Sequence, residues 1–305
     1  MMGNPYLQYK EAFEAIGCQV AVDEPMKQHT SFKIGGAADL FVTVHDSEQL
    51  TGALRLVRKH EIPLFVLGNG SNLLVSDKGI RGVVLRLGGA FCEMHMAPDG
   101  TLHCGAGAQL SRLCAFALEH SLTGLEFAWG IPGSVGGAAF MNAGAYGGEM
   151  KDVVVACEHV SLRGCSTSFT GEALEFGYRH SAYSDGGFII TNVILRLEKG
   201  DKAAIKAKMD ELMGRRKDKQ PLEYPSAGSI FKRPTGYFAG GLIEQCGLKG
   251  AQVGGAQVSP KHAGFIVNVG GATCDDVLTL IADIQKTVKA ETGVDLECEV
   301  RKTGE

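Results

Sequence analysis

The sequence predicts an α+β protein of two or three domains, and three observations carry that prediction. At 305 residues the chain exceeds a single domain of ~100–200 residues. Strand-like apolar runs and helical patterns are mixed along its whole length. At Lys199 the composition changes, and the roughly 85–105 residues that follow read as a separate α+β unit of ordinary domain size.

Taken in order, residues 5–17 read as a short amphipathic helix and Asp39-Leu40-Phe41-Val42-Thr43-Val44 as a strand. Ser47 is placed to cap a helix that uses Leu50, Leu54, Val57 and Arg58 and stops before Pro63. Short β-rich runs follow at 64–67, 73–75 and 83–87, then a strand near 101–104. The spacing of Leu110, Leu113, Cys114, Ala117 and Leu118 predicts a helix from about 109 to 120. Residues 121–150 are too rich in glycine to form one regular element, and strands resume at 152–162 and 188–197. A helix over 201–219 buries Ile205, Met209, Leu212 and Met213. Its end, Arg215-Arg216-Lys217-Asp218-Lys219, reads as a solvated charge cluster rather than a ligand patch. A short helix at 238–246, a strand at 264–268, a helix at 275–291 and a closing strand at 294–301 complete the chain.

Charge and composition exclude several function classes. Thirty basic against 34 acidic residues give a net charge of −4, unlike the basic face that coating a nucleic acid requires. No stretch approaches the ~20 apolar residues of a membrane span. The first thirty residues carry charges throughout, without the apolar core of a signal peptide. Nine cysteines, an odd number without a C-x-x-C pair, read as free thiols in a reducing compartment. A cytoplasmic protein is expected. Cys92, His95, His103 and Cys104 match no zinc spacing, and no metal is expected.

The common nucleotide and hydrolase motifs are absent, and two other glycine loops stand out. Gly68-Asn69-Gly70-Ser71-Asn72 follows a strand; it reads first as a turn and second as a phosphate cradle. Gly130-Ile131-Pro132-Gly133-Ser134-Val135-Gly136-Gly137-Ala138 continues through Asn142 and Tyr146 to Gly148. Its apolar company is unlike a linker. It fits either a backbone laid against a flat or phosphorylated ligand or tight packing on small residues, and the two loops together favour an extended cofactor. Three polar positions are open when read alone. Arg179 could be an ordinary ion-pair residue, Ser229 a turn hydrogen-bonder, and Glu299 a solvated carboxylate on the polar face of the closing strand.

These motifs occur in one order with His29-Thr30-Ser31-Phe32-Lys33-Ile34-Gly35-Gly36-Ala37-Ala38, Tyr178-Arg179-x-Ser181 and Ser226-Ala227-Gly228-Ser229. In that order the chain resembles the UDP-N-acetylmuramate dehydrogenase, or UDP-N-acetylenolpyruvoylglucosamine reductase, family. The resemblance covers about residues 29 to 299. It implies an N-terminal lead-in (1–32), a vanillyl-alcohol-oxidase/PCMH-type FAD-binding region of two α+β subdomains (33–198) and a substrate-binding α+β domain (199–305). The stretch from Ser181 to Lys199 leaves no room for the tyrosine-bearing insertion of the longer form, so the shorter form is implied. Ala37 stands where the family often has Pro.

By motif match, Gly68, Asn69, Gly70, Ser71, Asn72, Gly133, Ser134, Gly136, Gly137 and Asn142 would hold a non-covalent FAD. NADPH would reduce it and then yield the same site to UDP-N-acetylglucosamine enolpyruvate. The resemblance assigns Arg179 to the substrate carboxylate and Ser229 to proton donation. It makes Glu299 an acidic partner that must be protonated, for which a raised pKa is expected. Tyr146, Tyr178, Lys232 and Arg233 are candidate substrate contacts. A monomer without nucleic-acid partners is expected. The rival readings are another flavin oxidase or dehydrogenase of the same fold, and a non-catalytic nucleotide-sugar-binding protein.

Overall fold

The structure is a computed structural model that describes residues 4–305. It is mixed α and β, as expected, and its residues group into two compact units. The first takes the described residues up to Val22, Leu40–Asn69 and Gly82–Arg216; the second takes Asp23–Asp39, Gly70–Arg81 and Lys217–Glu305. These units are drawn differently from the expected division at residues 32 and 198. Ile205 and Met209, beyond Lys199, bury in the core of the first unit, whereas Phe32, Ile34 and Leu74 bury in that of the second. Apolar side chains follow the core they fill, whatever their place in the sequence.

A four-stranded sheet orders Gln19–Pro25, Ala37–Val44, Ile80–Leu87 and Leu64–Leu67. The first unit also has a five-stranded antiparallel sheet in the order Ser166–Thr170, Val154–Ser161, Phe188–Leu195, Leu102–Gly105, Met94–Met96. The helix Leu110–Glu119 buries Leu110, Leu113, Cys114 and Ala117, as the spacing predicts. Burial pushes the thiols of Cys104, Cys114 and Cys157 up to about 12, so they behave as packing groups. In the helix Ser47–Lys59 the cap is Asp46 rather than Ser47. Asp46 is extended (φ −151°) and its carboxylate accepts from the Gln49 N–H at 2.8 Å, so Ser47 is the first helical residue. Arg58 lies on the exposed side of this helix, not in its buried stripe.

His159 is fully buried in the five-stranded sheet, against Phe169, Phe188 and Tyr183. Its Nδ1 lies 2.9 Å from the Tyr183 hydroxyl, which donates to the Cys157 carbonyl at 3.3 Å; its Nε2 has no partner. Burial lowers its pKa, so the fold requires the neutral ring. The unfolded chain takes up this proton near the ordinary histidine value. The stabilisation is therefore complete above that value and shrinks as pH falls below it, by up to ~1.4 kcal/mol per pH unit. Thermal melts at pH 7.5 and 5.5 should show a fall in Tm for the native protein and a smaller fall for His159→Phe. His262, whose pKa burial also lowers, adds the same slope to both proteins and cancels in the comparison.

The second unit is built on an antiparallel sheet ordered Ser226–Ser229, Phe265–Asn268, Ala256–Val258, Gln252–Val253. The helix Cys274–Thr292 covers it, burying Val277, Leu280, Ile281, Ile284 and Val288. A Thr273–Asp276 capping box opens this helix, and Gly293 (φ +74°) ends it. The expected closing strand at 294–301 is displaced. Residues 294–300 carry only a single bridge, Phe231 to Cys298, and a ladder forms at Arg301–Thr303, parallel to Leu73–Val75. The reason is local: the N–H groups of Glu299 and Val300 both turn to the Ile230 carbonyl, which breaks the run of pairing before residue 301. Among the described residues no helix is long and apolar enough to cross a membrane.

Candidate active site

In the first unit the two glycine loops meet. A Cβ on Gly68 would stand 2.6 Å from Ser134 Oγ, and Ser134 caps the short helix Val135–Phe140 by accepting from the Gly137 N–H at 3.1 Å. Gly133, at φ +151°, takes a conformation L side chains rarely adopt. The glycines divide by exposure. Gly68 and Gly137 are exposed and present bare backbone, whereas Gly136 is buried with its Cα against Ala106. Gly70, in the second unit, is buried against the His29 carbonyl. Exposed main chain without Cβ atoms, with Asn69 also exposed beside it, suits the close approach of a phosphorylated cofactor such as FAD.

Asn142 does not face a ligand. It is fully buried, donating Nδ2 to the Gly177 carbonyl (2.8 Å) and to Glu149 Oε2 (3.0 Å), while Oδ1 accepts from the Lys151 N–H (2.9 Å). Two tight turns rise from these partners. Gly144–Ala145 pairs with Gly148–Glu149, leaving Tyr146 (φ +54°) and Gly147 (φ +91°) as a two-residue hairpin tip. Gly177 and His180 exchange N–H···O bonds of 3.1 and 3.3 Å, leaving Tyr178 and Arg179 at the second tip, with Arg179 at φ +55°. Tyr178 is half exposed, and the Arg179 guanidinium lies 5.1 Å from its ring centre. Ser181 is buried and donates to the Phe140 carbonyl at 2.7 Å.

The charge cluster at the end of the helix Lys202–Lys219 is not simply solvated. Arg216 is buried, and burial lowers its pKa from the usual guanidinium value. Arg215 and Arg216 lie 4.8 and 5.6 Å from the Tyr146 ring centre, within cation–π range. Gly130 leaves them room, since a Cβ there would stand 2.7 Å from Met213 and 3.3 Å from Arg216. The signal for Arg216 was in the periodicity. Ile205, Met209, Leu212 and Arg216 form one buried stripe, and Met213, expected in it, is only half-buried.

In the second unit the structure brings Ser229 and Glu299 onto adjoining backbone. Ser229 pairs with Phe265, after a register shift at Ala227–Gly228 where Gly228 takes φ +77°. The Ile230 carbonyl, one residue on, accepts the Glu299 N–H at 2.7 Å. Asn72 Nδ2 donates to the Glu299 carbonyl at 3.1 Å, so the end of the first glycine loop braces the acid. Glu299 is half-buried, not the solvated carboxylate that alternation alone suggests. Ser31 ties the lead-in to the same region, with Oγ donating to the Ser226 carbonyl at 2.7 Å and its N–H donating to the Gly70 carbonyl at 3.2 Å. Lys232 is paired with Glu297, and the exposed Arg233 lies 3.9 Å from the Phe238 ring centre.

Comparison with known proteins places the chain. Residues 38–169 match the FAD binding domain family, and residues 220–303 match the family described as UDP-N-acetylenolpyruvoylglucosamine reductase, C-terminal domain. These matches give the α+β architecture its parts, a PCMH-type FAD-binding domain followed by the reductase C-terminal domain. UDP-N-acetylenolpyruvoylglucosamine reductase of Clostridium perfringens is 48% identical over 304 residues, covering 97% of this chain and 99% of the relative. The protein of that name from Caldanaerobacter subterraneus is 51% identical over 285 residues, covering 93% of each. The crystal structure of the Thermus caldophilus reductase superposes with a TM-score of 0.80 at 40% identity, covering 93% of this chain and 98% of that one. With near-complete coverage at this identity, the chain belongs to the UDP-N-acetylenolpyruvoylglucosamine reductase family.

Proposed function

We propose that the protein performs the NADPH-dependent, FAD-mediated reduction of UDP-N-acetylglucosamine enolpyruvate to UDP-N-acetylmuramate, a peptidoglycan precursor, as a cytoplasmic monomer. Most of the non-covalent FAD contacts come from residues 33–198, the nucleotide sugar is met by 199–305 together with Tyr146, Tyr178 and Arg179, and NADPH and the sugar use one site in turn. The observation that supports this reading beyond family membership is the backbone hydrogen bond from the Glu299 N–H to the carbonyl of Ile230, the residue after Ser229. The exposed main chain around Gly68, Asn69 and Gly137 would hold FAD, which when bound would supply the hydride chemistry that links NADPH to the terminal methylene of the enol ether.

Arg179 meets the substrate carboxylate with a charged planar fork and stabilises the negative charge that spreads into it. Glu299, kept protonated, donates to the same developing charge. The Ser229 hydroxyl gives its proton to the adjacent carbon; a carbanion is basic enough for a weak acid to serve. Tyr146 acts on the substrate diphosphate, a role supported by the two guanidiniums of Arg215 and Arg216 over its ring. Tyr178 and Arg233 remain substrate contacts in this reading, whereas Lys232 must first leave Glu297 to become one. The test is anaerobic turnover with NADPH and the enolpyruvyl sugar. The product should be heavier by two hydrogens, with one NADPH consumed per product. NADPH consumption without that product would contradict the reading.

A further inference from the structure

We propose that Asn142 and Glu149 are positioning residues that hold the Arg179 turn in its working conformation, an inference that rests on the role proposed above for Arg179. Three non-glycine residues here are left-handed: Asn142 (φ +40°), Tyr146 and Arg179. Such residues cost about 1–3 kcal/mol each and persist only where the surroundings over-determine them. Asn142 supplies that determination. From one buried amide it holds the carbonyl at the base of the Arg179 turn and the carboxylate at the base of the Tyr146 hairpin, and it accepts from Lys151. A primary amide is the group this junction needs: two donors go to two oxygens while its own oxygen accepts.

Glu149 adds charge to this junction. Its carboxyl is held below the usual carboxylate range by its hydrogen bond with Lys151, then by Asn142, then by the positive charges of Lys151 and Arg179. Glu149 also caps the turn Met150–Asp152, so a local structural role is the rival explanation. The two roles differ in what they touch. A cap serves the fold, and losing it affects both half-reactions; a brace on Arg179 serves only the step in which the substrate carboxylate is held.

The experiment is anaerobic stopped-flow on the holoenzyme, following flavin reduction by NADPH and then its reoxidation by the enolpyruvyl sugar. Asn142→Gly removes the amide and tolerates the left-handed backbone. It should slow reoxidation roughly 10–100-fold while reduction changes less than about twofold. Glu149→Gln keeps the shape and one acceptor oxygen but removes the charge and the second acceptor; it should slow reoxidation several-fold, and it decides the matter alone if Asn142→Gly does not fold. In an Arg179→Gln background neither change should cost anything further, because groups acting through one residue are not additive. Equal slowing of both half-reactions, or additive losses with Arg179→Gln, overturns the proposal. Should the native protein itself show no reoxidation by the sugar, the function proposed above fails instead.

Discussion

Replacing Ser229 with alanine should slow reoxidation of the reduced flavin by the enolpyruvyl sugar about 10²–10⁴-fold, the usual share of a general acid, and leave reduction by NADPH intact. The asymmetry follows from the chemistry, since only the second half-reaction creates a carbon that needs a proton. The structure supplies the setting for this role: Gly228 at positive φ re-aims the strand just before Ser229, and the Ile230 carbonyl ties the next residue to Glu299. Stopped-flow with each substrate in turn measures both rates. If NADPH reduction fell as far as reoxidation, the assignment of Ser229 to proton donation would be wrong and a structural or cofactor role would take its place.

The second large effect falls on stability. Gly70 takes φ +60°, and a Cβ there would stand 2.1 Å from the His29 carbonyl oxygen and 3.0 Å from Thr30 Cα, both backbone atoms that cannot swing aside. Gly70→Ala should therefore destabilise the protein by about 3 kcal/mol or more, combining left-handed strain with displacement of the lead-in. A Tm lower by ~5 °C or more is expected on that scale. Gly137→Ala is the contrast: Gly137 is exposed and its nearest neighbour to a new Cβ is the Ser134 hydroxyl at 3.1 Å. It should disturb FAD retention more than Tm. Differential scanning of both variants with their flavin content separates the two kinds of glycine. Equal Tm losses would show that the exposed loop is a packing element as well.

That contrast explains what could be read from the sequence. The α+β class, the helices with clean periodicity and the two glycine loops were legible because each depends on local spacing. What a glycine in those loops is for was not legible. Gly68 and Gly137 lie open while Gly70 and Gly136 pack inward, and only tertiary contacts distinguish them. Motif match assigns Asn142 to the cofactor, yet its amide is spent inside the protein on Glu149 and on the Gly177 carbonyl, 35 residues along the chain. Alternation of Leu296, Cys298 and Val300 says which side chains turn inward, not which backbone they pair with, so the ladder lies beyond the run that alternation marks. Arg216 reads as solvated beside Arg215 and Lys217, but it lies on the stripe of Leu212 and Met209, one and two turns back, and is buried with them.

Transfer of an electron pair from NADPH to an enol ether through bound FAD can be followed in one cuvette. The visible spectrum of the purified protein should show a flavin band that bleaches anaerobically with NADPH and returns when the enolpyruvyl sugar is added. A band that bleaches but returns only when air enters would contradict the account and point to an oxidase; a protein that stays colourless after incubation with FAD would contradict it altogether.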